Sequence, residues 1–230
     1  YASLNPRLTI AETLAFAPRA HGLPAAEARE RVRDLLAKVG LDPVNYADRY
    51  PHELSGGQRQ RVNIARALAL RPRLIILDEA VSALDKSVEA QVLNMLVDLK
   101  KELDLTYVFI SHDLNVVQYL SDRVLVMYLG KIVELGPVEA IYGDPQHPYT
   151  KALLSARPSM DPRKRTREAP IQGDPPNPIN PPSGCRFRTR CPFAEDVCAR
   201  AEPPLADTGT QAVACHMRVA GSGHSKAVAA

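Results

Sequence analysis

The chain lacks several features that would assign it to a common class of protein. Its apolar runs are short: Leu74 to Leu77 has four residues and Val124 to Tyr128 has five. A membrane-spanning helix needs roughly 20. No apolar stretch behind a charged start marks a secretory signal. The formal net charge is only +3, and no basic stripe is interleaved with aromatic residues, which argues against a nucleic-acid partner.

Cysteine is absent from the first 184 residues, and four cysteines follow in the last 46. Disulfides are rare in cytosolic proteins, so this clustering favours a metal. The spacing C-x5-C-x6-C-x16-C, formed by Cys185, Cys191, Cys198 and Cys215, fits structural zinc poorly without excluding it. Four thiolates with a proline after Cys191 fit a 4Fe–4S cluster at least as well. Four unrelated cysteines or disulfides are the alternative.

Hydrophobic periodicity predicts that the first 50 residues are mostly helical. Between residues 27 and 39, apolar side chains recur at helical spacing and charged side chains occupy the opposite face. The apolar stripe consists of Ala28, Val32, Leu35, Leu36 and Val39, and the outward face of Glu27, Arg31, Asp34 and Lys38. Residues 58 to 70 show the same period, and Ser55 is a suitable N-cap for that helix.

Two short apolar runs predict a parallel sheet. Leu74 to Leu77 is continuously apolar and ends in two acids, which is typical of a strand buried on both faces. An amphipathic helix over residues 87 to 103 separates it from a second strand, Tyr107 to Ile110, and the three elements predict a right-handed parallel crossover. Ligands bind beyond the carboxyl ends of such strands. The residues at those ends are Asp78, Glu79 and His112.

The remainder of the chain divides into a hairpin, a proline-rich stretch and a cysteine-containing end. The hairpin is predicted from two apolar stretches, Val124 to Tyr128 and Lys131 to Leu135, joined by Leu129-Gly130. Eight prolines occur in the 25 residues from Pro158 to Pro182, a density that predicts a linker without regular structure. The last ten or so residues are rich in Ala, Gly and Ser and predict a disordered tail.

The segment Leu54-Ser55-Gly56-Gly57-Gln58 predicts an anion site at the start of a helix. Two glycines let backbone N–H groups approach an anion closely, and the helix dipole adds positive charge at the same point. Taken alone, such a helix entry is more often a simple turn, so the segments around it decide between the two interpretations.

The paired acids after the first strand predict a hydrolytic centre. In this interpretation Asp78 binds Mg²⁺ through water, and Glu79 is the base that orients the attacking water. Burying two adjacent carboxylates at a sheet edge is costly unless they have such a role, and a helix N-cap pair is the alternative. Ser82 to Asp85 then opens the next helix, and His112 follows the second strand, where a satisfied loop histidine is the alternative.

In this order, the segments resemble the nucleotide-binding domain of the ABC ATPases. Leu54 to Gln58 matches the signature motif, Leu74 to Glu79 the Walker B strand, Ser82 to Asp85 the D-loop and Ser111-His112 the switch histidine. The resemblance implies an α/β fold class: a partial P-loop NTPase domain with a parallel sheet core, a helical subdomain and a Pro-rich, Cys-containing C-terminal extension.

The resemblance also implies roles for individual residues. Glu79 and His112 would be catalytic, Asp78 would bind Mg²⁺ through water, and Asp85 would belong to the D-loop. The signature residues would bind ATP in trans, because in this family one subunit's signature motif closes over ATP held by another. Those residues are Ser55, Gly56, Gly57 and Gln58.

Other segments are similar to the oligopeptide/dipeptide/nickel branch of importer ATPases. Tyr1 to Arg7 resembles the stretch after the Q-loop glutamine, and Asp78 to Asp85 the form in the second, F-type subunit, although Ala80 replaces the usual proline. His147 to Leu154 and Asn180 to Cys185 are typical of the same branch, some of whose members have an iron–sulfur cluster at the C-terminal cysteines.

The resemblance divides the chain into five parts. Residues 1–58 would form the helical signature subdomain, 59–156 the C-terminal part of a RecA-like ATPase core, and 157–183 a Pro-rich linker. Residues 184–218 would form the four-Cys oligopeptide-transporter motif, and 219–230 a disordered tail.

One departure from the family concerns the phosphate-binding loop. No Gly-x-x-x-x-Gly-Lys-Ser/Thr motif occurs in the 230 residues. We therefore expect a chain truncated before the end of the Q-loop, whose intact parent hydrolyses ATP while this fragment alone does not.

The resemblance implies an ATPase that uses ATP and Mg²⁺ to energise oligopeptide or dipeptide import at the cytoplasmic face of the bacterial inner membrane. Its partners would be a second ABC ATPase subunit, identical or different, two transmembrane permease subunits and, indirectly, an extracytoplasmic peptide-binding protein. A non-transport ABC ATPase and a metal- or redox-sensing module built on the four-Cys segment are the alternatives.

Overall fold

The computed structural model describes residues 4–157, 173–174 and 176–229. Contacts divide the chain into two compact units, residues 1–113 and 114–230. This division differs from the predicted boundaries at residues 58 and 156, and the five-part organisation stays a prediction. Most of the predicted Pro-rich linker, residues 158–172 and Pro175, lies outside the described residues.

The first unit combines four helices with a β–α–β element, in agreement with the predicted α/β class. In chain order the elements are α1 (Ile10–Ala20), α2 (Ala25–Lys38), α3 (Pro43–Tyr46), α4 (Gly56–Leu68), β1 (Leu74–Asp78), α5 (Lys86–Glu102) and β2 (Thr106–Ile110). Among the described residues, none of the helices has the length and apolar character that crossing a membrane requires.

The helical part of this unit is held by the predicted apolar stripe. All five stripe residues of α2 and its C-cap are buried, and α2 packs against α1, α3 and α4. Arg31 was predicted to face outward, but it is half-buried and donates a hydrogen bond from Nη1 to the Ala69 carbonyl oxygen at 3.2 Å. Its long side chain reaches α4, a contact that helical periodicity alone does not reveal.

The strands β1 and β2 pair in parallel, which confirms the predicted parallel sheet. The prediction that β1 is buried on both faces is wrong. Ile75 and Leu77 are buried, whereas Leu74 and Ile76 are 51% and 65% exposed. Within the described residues β1 and β2 pair only with each other and form a short two-stranded sheet. The exposure of Leu74 and Ile76 shows that one face of this sheet is in contact with solvent.

The second unit is built on a four-stranded antiparallel sheet in the order β3-β4-β6-β5. Its elements are α6 (Leu114–Leu120), β3 (Arg123–Tyr128), β4 (Lys131–Pro137), α7 (Val138–Gly143), α8 (Pro148–Ser155), α9 (Asp196–Arg200), β5 (Ala206–Asp207) and β6 (Ala212–Val213). The predicted hairpin is confirmed: Leu129 and Gly130 adopt φ of 46° and 77°, the left-handed pair that a tight two-residue turn requires.

The cysteine-containing segment belongs to this sheet. Strand β6 pairs with β4, and Phe187, only 2% exposed, packs in the core with Val126, Tyr128 and Ile141. The C-terminal tail, which was predicted to be disordered, also packs against the rest of this unit. His224 is buried with its Nε2 2.8 Å from the Phe193 carbonyl oxygen, and Val228 N–H donates to Met217, contacts that composition does not reveal.

A buried carboxylate joins three parts of the second unit. Glu134, on β4, is fully buried, and its oxygens accept hydrogen bonds from the N–H groups of Gln146 and His147, at 2.6 and 3.1 Å, and from Gln211 Nε2 at 3.0 Å. Burial raises the pKa of Glu134, and the hydrogen bonds act in the opposite direction. One side chain thus holds the start of α8 and the C-terminal segment against the hairpin.

We expect Glu134→Ala to lower the free energy of unfolding by about 1–3 kcal/mol, because three donors, two of them buried, lose this acceptor. Glu139→Ala removes an exposed carboxylate from the neighbouring helix α7 and should stay within about 0.5 kcal/mol of the unmodified chain. Urea unfolding measures both. Equal effects of the two substitutions would show that Glu134 has no special structural role.

Candidate functional site

The segment predicted to bind an anion forms the entry to α4. Ser55 is the N-cap, as predicted: its Oγ accepts from Gln58 N–H at 3.3 Å, and Gln58 Oε1 accepts from Ser55 N–H at 2.9 Å. This reciprocal capping box satisfies two backbone donors of the first turn. The N–H groups of Gly56 and Gly57, at the positive end of the helix dipole, take no part in this capping box.

Two contacts around this segment could not be read from the sequence. Gln58 Nε2 donates to the Tyr46 hydroxyl at 2.9 Å, so the amide is engaged at both ends within the chain. Gly57 is buried where α4 passes α5, and a Cβ at this position would lie 2.4 Å from Val88 Cγ1. The second glycine is therefore required for helix packing as well as for any approach to a ligand.

The parallel register brings Glu79 and His112 together. Asp78 lies opposite Ile110, and Glu79 N–H continues the ladder by donating to the Ile110 carbonyl oxygen at 3.0 Å. His112 Nδ1 then lies 3.0 Å from both oxygens of the Glu79 carboxylate. Because an ionised carboxylate only accepts, Nδ1 is the donor. Hydrogen bonding and charge from Glu79 raise the pKa of His112.

The carboxylates of Asp78 and Glu79, at the end of β1, lie in a different environment from the one predicted. Asp78 and Glu79 were expected to be buried, and both are exposed, since the sheet edge opens to solvent here. Glu79 adopts a φ of 48°, an uncommon conformation for a residue with a side chain. Its carbonyl oxygen accepts from Ser82 N–H at 3.3 Å and from Ser82 Oγ at 3.0 Å, which stabilises the turn that leads to α5.

A cavity of about 510 Å³ lies beside these residues in the first unit. Its lining includes Gly56 from the α4 entry, both Asp78 and Glu79, and the basic side chains of Arg59 and Arg66. The structure therefore brings part of the predicted signature segment and the paired acids to one concave surface. The other predicted site residues, Ser55, Gly57, Gln58, Asp85 and His112, are not among its lining residues.

Carboxylate oxygens and basic groups on one concave surface suit a phosphate with its magnesium ion. Asp78 presents an exposed carboxylate at the carboxyl end of β1, and oxygen is the ligand atom that Mg²⁺ prefers. The donor chemistry fits the predicted role of Asp78, and that role stays a prediction. Asp85 is the N-cap residue of α5 and makes no side-chain capping hydrogen bond.

In the second unit, the four cysteines converge. Cys185, Cys191, Cys198 and Cys215 are free thiols and line one small cavity of about 20 Å³, together with His147, His216 and His224. Cys185 N–H donates to the Cys198 carbonyl oxygen at 2.8 Å. Burial raises the pKa of Cys185 and Cys191, and that of Cys215 to about 11.

The backbone around these cysteines requires a glycine. Gly184 adopts a φ of 62°, and a Cβ there would lie 2.4 Å from the Cys198 carbonyl oxygen. Among the described residues, no group of three or more His, Cys, Asp or Glu side chains is arranged to hold a single metal ion. The structure thus places the four predicted residues around one cavity, in an arrangement that differs from a mononuclear site.

Comparison with known proteins finds a match to a protein family in each half of the chain. Residues 1–82 match the family described as ABC transporter, and residues 133–198 the family described as oligopeptide/dipeptide transporter, C-terminal region. The oligopeptide transport ATP-binding proteins OppF of Salmonella typhimurium and Escherichia coli are each 54% identical to the chain over 218 residues, 93% of this chain and 65% of theirs.

A protein of Sinorhizobium fredii, named as a probable peptide ABC transporter ATP-binding protein, is 53% identical over 220 residues, 95% of this chain and 62% of its own length. The chain therefore spans less than two thirds of the length of these curated relatives.

We expect Glu79→Gln to lower the titration midpoint of His112, because the amide cannot supply the negative charge that raises the pKa. The pairing stabilises the fold fully below the unfolded pKa of histidine, and this contribution is lost as pH rises through the raised folded value. NMR titration of the histidine Cε1–H resonances measures the shift. The resonance of His21, the C-cap residue of α1, is the internal control, and an unmoved His112 midpoint would contradict the contact.

Proposed function

The chain belongs to the family of oligopeptide/dipeptide ABC transporter ATP-binding proteins, and on that basis we propose that it supplies the signature and hydrolytic parts of an ATPase subunit that energises peptide import. The observation that carries the proposal is the Glu79–His112 contact at the carboxyl ends of paired parallel strands, beside a cavity that Asp78 and Glu79 line. Ligands of α/β sheets bind at this edge.

The proposed chemistry assigns each group a task. Glu79 orients the water that attacks the γ-phosphate, and His112 stabilises the charge that develops on the phosphate. Asp78 holds Mg²⁺ through water, and the ion neutralises the phosphate oxygens. In the free chain Glu79 and His112 form a hydrogen bond with each other. Nucleotide binding therefore has to redirect both side chains towards phosphate and water.

The signature segment serves a nucleotide held by another subunit in this proposal. The α4 entry offers the backbone N–H groups of Gly56 and Gly57, which take no part in the capping box, to the γ-phosphate, and the helix dipole adds positive charge. Gln58 acts first as the capping residue seen here and contacts nucleotide only if its bond to Tyr46 opens. Asp85 lies in the D-loop that faces the second subunit.

The proposed setting follows from the family. The subunit would pair with a second ABC ATPase subunit and bind two transmembrane permease subunits at the cytoplasmic face of the bacterial inner membrane. An extracytoplasmic peptide-binding protein would deliver oligopeptides or dipeptides. The other parts predicted from the sequence, a helical signature subdomain, a core part, a linker and a four-Cys motif, belong to the same proposal.

We expect no ATP turnover by the 230-residue chain, because it contains no Walker A motif to hold the phosphates. An extended chain, in which the N-terminal segment of Escherichia coli OppF precedes residue 1, should hydrolyse ATP. Glu79→Gln in the extended chain should lower kcat by about 10²-fold or more, because the general base is lost. Phosphate release measures both.

Ser155→Ala, in α8, is the control substitution, and it should leave the turnover of the extended chain unchanged. Turnover by the 230-residue chain that Glu79→Gln abolishes would contradict the proposed division of the site. An extended chain that folds and binds ATP without hydrolysing it would contradict the proposed function itself.

We also propose that the four cysteines hold a 4Fe–4S cluster. The support is the donor set: four thiols line one cavity, and iron–sulfur clusters take four cysteine ligands. A cavity of about 20 Å³ has room for about one water molecule, so binding requires the thiols to move apart. The cluster would cross-link the segment between Cys185 and Cys215 rather than take part in ATP hydrolysis.

Anaerobic purification followed by iron, sulfide and zinc analysis tests the cluster. We expect iron and sulfide in equal amounts with absorbance near 400 nm, and loss of both in Cys198→Ser, since each iron needs its thiolate. Ser183→Ala, next to the segment, is the control substitution. Stoichiometric zinc without iron would reject the cluster in favour of a zinc site, and neither metal would reject both.

A further inference from the structure

A lysine bridges two segments that flank the Glu79–His112 pair. Lys86, the first residue of α5, places its Nζ 3.0 Å from Glu89 Oε1 and 2.9 Å from Asp113 Oδ2. Glu89 lies one turn further along α5, whereas Asp113 directly follows His112. The ammonium group therefore joins the start of a helix to the residue beside the histidine.

The two carboxylates are partly withdrawn from water and share this cation. The side chains of Glu89 and Asp113 are 12% and 28% exposed, whereas Lys86 is 76% exposed. Their oxygens lie within about 6 Å of each other, since both bond the same nitrogen, and like charges at that distance repel. An isolated surface ion pair contributes little, but removing this lysine leaves two facing carboxylates without their shared partner.

The contact between Lys86 and Asp113 constrains the segment that carries His112. Asp113 N–H donates to Ser111 Oγ at 3.1 Å, so residues 111 to 113 form a tight turn. On one side of this turn His112 bonds Glu79, and on the other Asp113 bonds Lys86. The imidazole thus lies between a contact at the end of β1 and a contact at the start of α5.

We propose that Lys86 is a positioning residue: by holding Asp113 against the first turn of α5, it keeps His112 in contact with Glu79 and links the D-loop segment that ends at Asp85 to the histidine. The link to catalysis rests on the proposed function, whereas the positioning itself does not. Three charged groups face His112, namely Glu79 from the end of β1, Asp113 from its own turn and Lys86 from α5.

A double-mutant cycle in the 230-residue chain separates positioning from a direct effect of charge. Glu79→Gln lowers the NMR titration midpoint of His112, and that drop should be clearly smaller when Lys86→Met is also present, because the histidine is no longer held against residue 79. A purely electrostatic influence of Lys86 would be additive and would leave the drop unchanged. Additivity would overturn the proposal.

Two variants sharpen the comparison. Lys86→Arg keeps a cation that can bond both carboxylates. In this background Glu79→Gln should lower the His112 titration midpoint by the full amount. Lys101→Met makes the same chemical change at an exposed lysine of the same helix, remote from His112, and should also preserve the full drop. If Lys101→Met reduces the drop as much as Lys86→Met does, the effect is general and the proposal fails. If Glu79→Gln does not move His112 at all, the contact that Lys86 is proposed to maintain is absent, and the proposal fails too.

The catalytic consequence is measured in the extended chain. Lys86→Met should lower kcat roughly tenfold with little change in the KM for ATP, because a misplaced group costs rate without weakening nucleotide binding. Unchanged kcat would limit the role of Lys86 to the resting structure and overturn its link to catalysis. If the extended chain has no activity without any substitution, the proposed function fails while the NMR cycle still decides the positioning.

Discussion

The parallel pairing of β1 with β2 is the constraint on which the candidate site depends. Asp78 lies opposite Ile110, so the two strands end at the same level, and Glu79, one residue beyond β1, meets His112, two residues beyond β2. A one-residue slip would reverse which side chains face the core and would separate the pair. The left-handed backbone at Glu79 costs about 1–2 kcal/mol, and bonds from Ser82 to its carbonyl oxygen offset part of that cost.

In both units, side chains supply hydrogen-bond partners to backbone groups at the ends of helices. At the start of α4 the side chains of Ser55 and Gln58 supply them. In the second unit Glu134 supplies acceptors to the turn before α8 and to Gln211 at once. The cysteine segment is therefore held by strand pairing, by Phe187 in the core and by a buried carboxylate, while all four thiols remain free.

Local features were predictable because their signals are local. The cap at Ser55, the stripe on α2, both strands and the hairpin follow from side chains a few residues apart. Contacts such as Gln58 with Tyr46 or Lys86 with Asp113 join residues 12 and 27 positions apart, and no pattern marks them in advance. The error at β1 has a related cause, since an apolar run does not reveal whether anything covers each face of its sheet.

The uncovered face of β1 and β2 has a consequence for how the chain behaves in bulk solution. Leu74, Ile76, Val108 and Ile110 are each at least 44% exposed. Within the described residues, the outer edges of both strands also carry unpaired backbone groups. Apolar surface beside open strand edges promotes association between copies.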